Sequence, residues 1–148
     1  MSLTLLILLH VLGATIWTGG HLVLTLTVLP RALRARDPKI VEEFEGGFER
    51  LGIPALVLQV VTGLWLAFRR LPDFGSWFAF DSFVSTYIFV KLMLLVATLA
   101  LAMHARLRLL PSLGPDNLKT LAWHIVAVTI LSVLFVVMGV GLRTGGIF

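Results

Sequence analysis

LTLLILLHVLGATIWTGGHLVLTLTVL, residues 3–29, carries no Asp, Glu, Lys or Arg from end to end. A helix needs about 20 apolar residues to cross a bilayer core, and this stretch exceeds that. It is too long for the apolar core of a secretory signal. No basic segment precedes it and no small-residue cleavage site follows it. It runs instead into Arg31, Arg34, Arg36 and Lys39. The expectation is a retained membrane-spanning helix.

Three more apolar runs follow, roughly Ile53 to Phe68, Val84 to Leu107 and Leu121 to Leu142. The second is short and reads as starting nearer Leu51, with Pro54 in its first turn, where a missing N–H costs little. The chain of 148 residues is 58% hydrophobic and 14% charged, whereas soluble domains carry about 25% charged residues. The fold expected is an all-α, integral membrane four-helix bundle. It forms a single domain over 1–148, with helices at about 3–29, 51–69, 84–107 and 120–142. The net charge of +4 does not point to nucleic acid, because the basic residues sit between apolar runs, where they orient the chain. The partner implied is the lipid bilayer.

The first and third connections hold Arg31, Arg34, Arg36, Lys39, Arg50, Arg106, Arg108 and Lys119; the opposite side holds Arg69, Arg70 and Arg143. The positive-inside rule then places both termini outside a bacterial-type inner membrane. Within the first connection, Asp37-Pro38 reads as an N-cap and a proline at the first helical position. Ile40, Val41, Phe44 and Phe48 then recur at helical spacing against Glu42, Glu43, Glu45 and Glu49. That pattern predicts a short amphipathic helix lying on the cytoplasmic interface. On the other side Phe74, Trp77, Phe78, Phe80 and Phe83 suit a headgroup boundary.

All four histidines, His10, His21, His104 and His124, fall inside apolar runs. An ionisable residue in a membrane helix is a functional hypothesis by default, and imidazole is the commonest protein ligand for metals. His10 and His21 are eleven residues apart. At 100° and 1.5 Å per residue they share a face to within about 20° and stand roughly 16 Å apart. Trp17 shares that face, and Gly13 and Gly20 beside it allow close approach of another helix or a flat macrocycle. Met93 and His104 repeat the same spacing, and His124 and Met138 agree to within about 40°. The predicted topology puts His21, His104 and His124 in the cytoplasmic half, and His10, Met93 and Met138 in the outer half. The structural alternatives are plain. A membrane histidine also serves to hydrogen-bond a neighbouring helix, and methionine fills core gaps.

Lys91 lies about two turns inside the third helix. Its stem can snorkel to the interface, or its charge can meet a haem propionate, a lipid phosphate or an anionic substrate. Its face differs from that of Met93 and His104, so it is expected to compensate charge rather than bind metal. Gln59 and Thr62 are the polar residues of the second helix, which has no histidine and is expected to pack as a wall.

The stretch from His10 through Trp17 to Gly19-Gly20, followed by Leu29-Pro30, resembles the opening helix of CopD-like membrane proteins. Tyr87 to Lys91-Leu92, then Arg106-Leu-Arg108-Leu and Pro111, resemble their third helix. The resemblance covers the first and third helices. It implies a helical membrane domain linked to copper uptake or resistance, with functional weight on His10, Trp17 and Lys91. His21, His104 and His124 map to no shared motif of that family. Leu29-Pro30-Arg31, the early histidine and the lysine also resemble HemJ-type protoporphyrinogen oxidases, with a longer spacing here between Trp17 and that exit.

With no cysteine, thiolate ligands and a covalent haem attachment motif are excluded. The leading expectation is a b-type haem protein working in electron transfer or redox chemistry. It would hold one or two haem b groups on His10, His21, His104 and His124, with Trp17 and Lys91 in the cofactor site and a redox partner or quinone outside it. The first alternative is copper binding or transport, with the same four histidines and Met93 or Met138 as ligands. The second is a porphyrinogen oxidase, so oxidoreductase activity stays open. A homo-oligomer also stays open.

Overall fold

The computed structural model describes residues 2–146, which form helices and connecting turns without a strand among them. Four helices are long and apolar enough to cross a membrane: α1 Leu3–Ala35, α2 Lys39–Arg70, α3 Phe83–Ser112 and α4 Leu118–Thr144. Ser2 caps α1 by accepting the Leu5 N–H at 3.2 Å. A capping box of Ser82 and Ser85 starts α3. Gly145, at φ 89°, closes α4 in the left-handed conformation that favours glycine.

Helix bounds depart from the sequence expectation at the basic end. α1 continues past Leu29 and through Pro30 to Ala35. Pro30 has no N–H, and its ring would meet the carbonyl four residues back. The chain absorbs this by widening the preceding turn, Leu24–Val28, so that the Leu29 N–H reaches the Leu24 carbonyl. α3 repeats the device before Pro111. Its turn Ala105–Leu109 is widened and the Leu110 N–H reaches Ala105.

The separate interfacial helix does not form. Residues 39–48 are the first part of α2, one helix of 32 residues, and Pro54 lies inside it rather than in its first turn. The apolar stripe of this segment has partners within the chain, so it has no need of a bilayer surface. Val41 and Ala32 are fully buried, in one cluster with Leu24, Leu29, Leu109, Leu118, Leu121 and Ile125. Pro54 removes one backbone hydrogen bond and leaves the rest of the helix continuous. At its start, Asp37 accepts the Lys39 N–H at 3.0 Å, which shifts the expected cap by one residue.

α1 packs along α2 and against α4, while α3 packs against α4. The spatial order is α2–α1–α4–α3, so α2 and α3 are the flanking helices and do not pack along each other. α1 and α4 are joined by hydroxyls. Thr129 spends its proton on the Ile125 carbonyl at 2.8 Å and so accepts from Thr25 at 2.6 Å. Thr18 reaches the Ser132 carbonyl at 3.4 Å.

At the aromatic end, the turn Gly75–Phe78 is fixed by Asp73, which accepts from both the N–H and the hydroxyl of Ser76 at 2.9 Å. These hydrogen bonds hold the Asp73 carboxyl below its ordinary value. A depressed carboxylate contributes order that is present above its unfolded pKa and is lost as pH falls through the folded one. The turn should therefore keep its structure at pH 5 and loosen only under stronger acid. The Trp77 indole N–H resonance, followed by NMR through an acid titration, checks this. Asp73→Asn should blunt the acid transition.

Candidate functional site

Two cavities lie at the basic end. The larger, about 290 Å³, is framed by Phe48, Glu49 and Gly52 of α2 and by Ala102 and Arg106 of α3. Trp17 and His21 of α1 and His124 of α4 form its floor. Its walls are mainly apolar, with imidazole, carboxylate, guanidinium and the Met103 thioether as its polar or polarisable groups. The smaller, about 240 Å³, is lined by Glu42, Glu45, Gly46, Glu49 and Leu110.

His21 is held in place by its own helix and by α2. Its Nδ1 lies 2.9 Å from the Trp17 carbonyl. Its ring sits 4.4 Å from the Trp17 ring and edge-on to Phe48 at 5.7 Å. Phe48 reaches this position because residues 20 and 52 are glycines, and any Cβ there would collide with its ring. On α4, His124 Nδ1 lies 3.0 Å from the Thr120 carbonyl. His124 Nε2 lies 2.9 Å from His104 Nδ1, and the two rings stack at 4.9 Å.

His10 belongs to another place. Its Nδ1 lies 2.8 Å from the Thr62 hydroxyl, and the Gln59 amide donates to its backbone carbonyl. Its ring rests on Gly63, where a Cβ would stand 3.1 Å away. The helix expected to act as a plain wall thus supplies the hydrogen-bond partners of His10, Gln59 and Thr62.

The partners assign the protons. A carbonyl only accepts, so Nδ1 of His21 and of His124 must donate. Thr62 gives its single proton to the Leu58 carbonyl at 2.5 Å, so it accepts from His10 Nδ1. In the neutral imidazole, Nε2 of each of these three rings then carries the lone pair. Nε2 of His124 accepts from His104 Nδ1, which leaves His104 Nε2 as a lone pair as well. A ligating histidine commonly hands its other N–H to a carbonyl or similar acceptor, which fixes tautomer and ring orientation.

Other sequence candidates are placed differently. Met93 is 45% exposed and faces outward, where lipid stands in a bilayer. Met138 is half-buried on α4. Lys91 turns inward instead of snorkelling away: its Nζ stands 3.6 Å from where a Cβ on Gly139 would lie. No carboxylate pairs with it among the described residues. The geometry gives no support to haem between His104 and His124. Axial ligands stand on opposite faces of a macrocycle, whereas these two rings are stacked and hydrogen-bonded to each other. No cluster of three or more His, Asp or Glu poised for a metal occurs among the described residues. Sequence reasoning missed Glu42, Glu45, Glu49 and Arg106 as cavity residues. The available signal was the i, i+3, i+7 spacing of the three glutamates, which sets them on one helix face.

Four apolar helices with polar groups gathered between them define a multi-pass helical membrane protein. The model of the family described as copper resistance protein D, CopD, matches residues 42–142, and the chain belongs to that family. The match takes in α3 with Lys91 and α4 with His124; α1, with His10, Trp17 and His21, lies outside it. Neither the curated proteins nor the solved structures contain a match.

Proposed function

We propose that the chain is a copper-handling membrane protein of the CopD type, taking copper as cargo into the cavity at its basic end. His21 and His124 are the first ligands, with His104 as the neighbour that releases His124 when the ion arrives. The observation that carries this reading is the shared tautomer. His21 and His124 come from different helices, line one cavity, and both commit Nδ1 to a carbonyl, so the lone pair stands on Nε2, which on His124 is held by His104 until that ring gives it up. Imidazole suits copper in either oxidation state, and the Met103 thioether at the cavity wall suits Cu(I). Membership of the family supports the same cargo. The haem and porphyrinogen readings have no comparable support. The proposal includes a single domain in a bacterial-type inner membrane with both termini outside, after the bias of Lys and Arg.

Copper titration of the purified chain in nanodiscs tests this. Wild type should bind copper against a competing chelator, and bound Cu(II) should show nitrogen couplings in its EPR spectrum. His21→Gln and His124→Gln should each weaken binding by about tenfold or more, the scale on which even supporting residues of a metal site act. Equal binding by wild type and both variants would remove the cavity from the reading. A Soret band in protein from haem-replete cells would overturn it in favour of haem.

A further inference from the structure

We propose that the Glu49–Arg106 ion pair is a latch that separates the acidic cavity from the histidine chamber and governs entry to it. The proposal rests on the copper reading only for what passes the latch; the device itself stands on geometry. Glu45, Glu49 and Leu110 line both cavities, whereas Arg106, the partner of Glu49, lines the larger one alone. The pair therefore stands on the boundary between them. It also joins α2 to α3, the two helices that do not pack along each other. At this mouth the wall depends on side chains that can move, not on interlocked helices.

The pair is suited to opening. Arg106 is 59% exposed and Glu49 39% exposed. Exposed ion pairs are weak and are screened by salt. A buried pair would lock the groove, because separating it leaves uncompensated charge in apolar surroundings; water can solvate both partners here. Arg106 also stands in the widened turn Ala105–Leu109, where the backbone of α3 departs from regular α-helical winding. A cation reaching Glu49 from the acidic side takes the carboxylate that Arg106 holds. Arrival and closure then compete for one group, and an arriving ion opens its own way.

The absence of cysteine makes the test direct. Ala102 lines the chamber, and Ala102→Cys places a single thiol behind the latch. Its reaction with a membrane-impermeant maleimide is followed in nanodiscs without copper, against a Ser112→Cys control on the exposed end of α3. Arg106→Gln and Glu49→Gln should each speed labelling of the chamber thiol by about threefold to fivefold, the population shift that an exposed pair commands. The exchange Glu49→Arg with Arg106→Glu should return it to the slow rate. High sodium chloride should speed labelling of the intact pair and leave Arg106→Gln unchanged. Unchanged labelling in both single variants, or an exchanged pair that labels as fast as they do, overturns the latch. If labelling follows this pattern but wild type binds no copper, the latch holds and the cargo assignment fails.

Discussion

Trp77→Ala should destabilise the protein by about 3–5 kcal/mol, the usual cost of emptying a buried tryptophan site. Trp77 is 1% exposed although it sits in a connection. Its ring lies 4.6 Å from Phe68, at the end of α2, and 5.1 Å from Phe74. Its indole N–H donates to the Leu71 carbonyl at 2.9 Å. Phe78 and Phe80 carry the contact onward to Phe89 of α3, so the indole anchors the turn between two helices that do not pack along each other. Trp77→Phe keeps most of the ring and loses the hydrogen bond, and it should cost nearer 1 kcal/mol for that bond plus a smaller packing loss. Denaturant unfolding in mixed micelles, followed by circular dichroism, measures both. A Trp77→Ala protein as stable as wild type would mean that the turn does not brace the helices.

Gly20→Ala should cost about 1–3 kcal/mol, the range for overfilling a packed site. The added methyl would land on the Phe48 ring, which already faces Gly52 on its other side. The ring also lies 5.9 Å from Phe44 and 6.4 Å from Trp17, so it has little freedom to swing aside. Phe48→Leu should cost stability alone yet recover much of the loss when combined with Gly20→Ala, a non-additivity characteristic of touching residues. Gly19→Ala is the control, because nothing stands within 4 Å of its Cβ position. It should be neutral or slightly stabilising, as alanine favours the helix.

The spanning helices were legible because apolar runs of this length have few other uses. Their limits were not, and the errors share a cause. Pro30, Pro54 and the glutamates of residues 42–49 punctuate the sequence, whereas the helices run through them. A widened turn accommodates Pro30, the long helix tolerates Pro54, and Val41 finds its cover on α1 rather than in lipid. The histidines were legible as a set, and their partners were not. Helical arithmetic gives the face on which His10 points, but not that α2 lies opposite; the bond to Thr62 spans fifty-two residues. Gln59 and Thr62 were visible as polar residues without a role. Arg106 was counted among the charges that orient the chain, and only its side chain's reach across the gap between α2 and α3 brings it to Glu49.

The widened turns have a consequence for tolerance to change. Each is an extra residue that its helix has taken in without breaking, and the two sit at the same end of the protein. Deleting one residue from 24–28 would restore ordinary winding in α1 and set the Pro30 ring against the carbonyl four residues back, while the arginines after it would keep their facing, because the widened turn is what takes up the extra residue. The same deletion in 105–109 would press the Pro111 ring on its preceding turn in the same way. The helices therefore carry two places where chain length, rather than side-chain identity, lets a proline lie inside a continuous helix. A single-codon loss there would strain the helix at its proline while leaving every apolar span long enough to cross the bilayer.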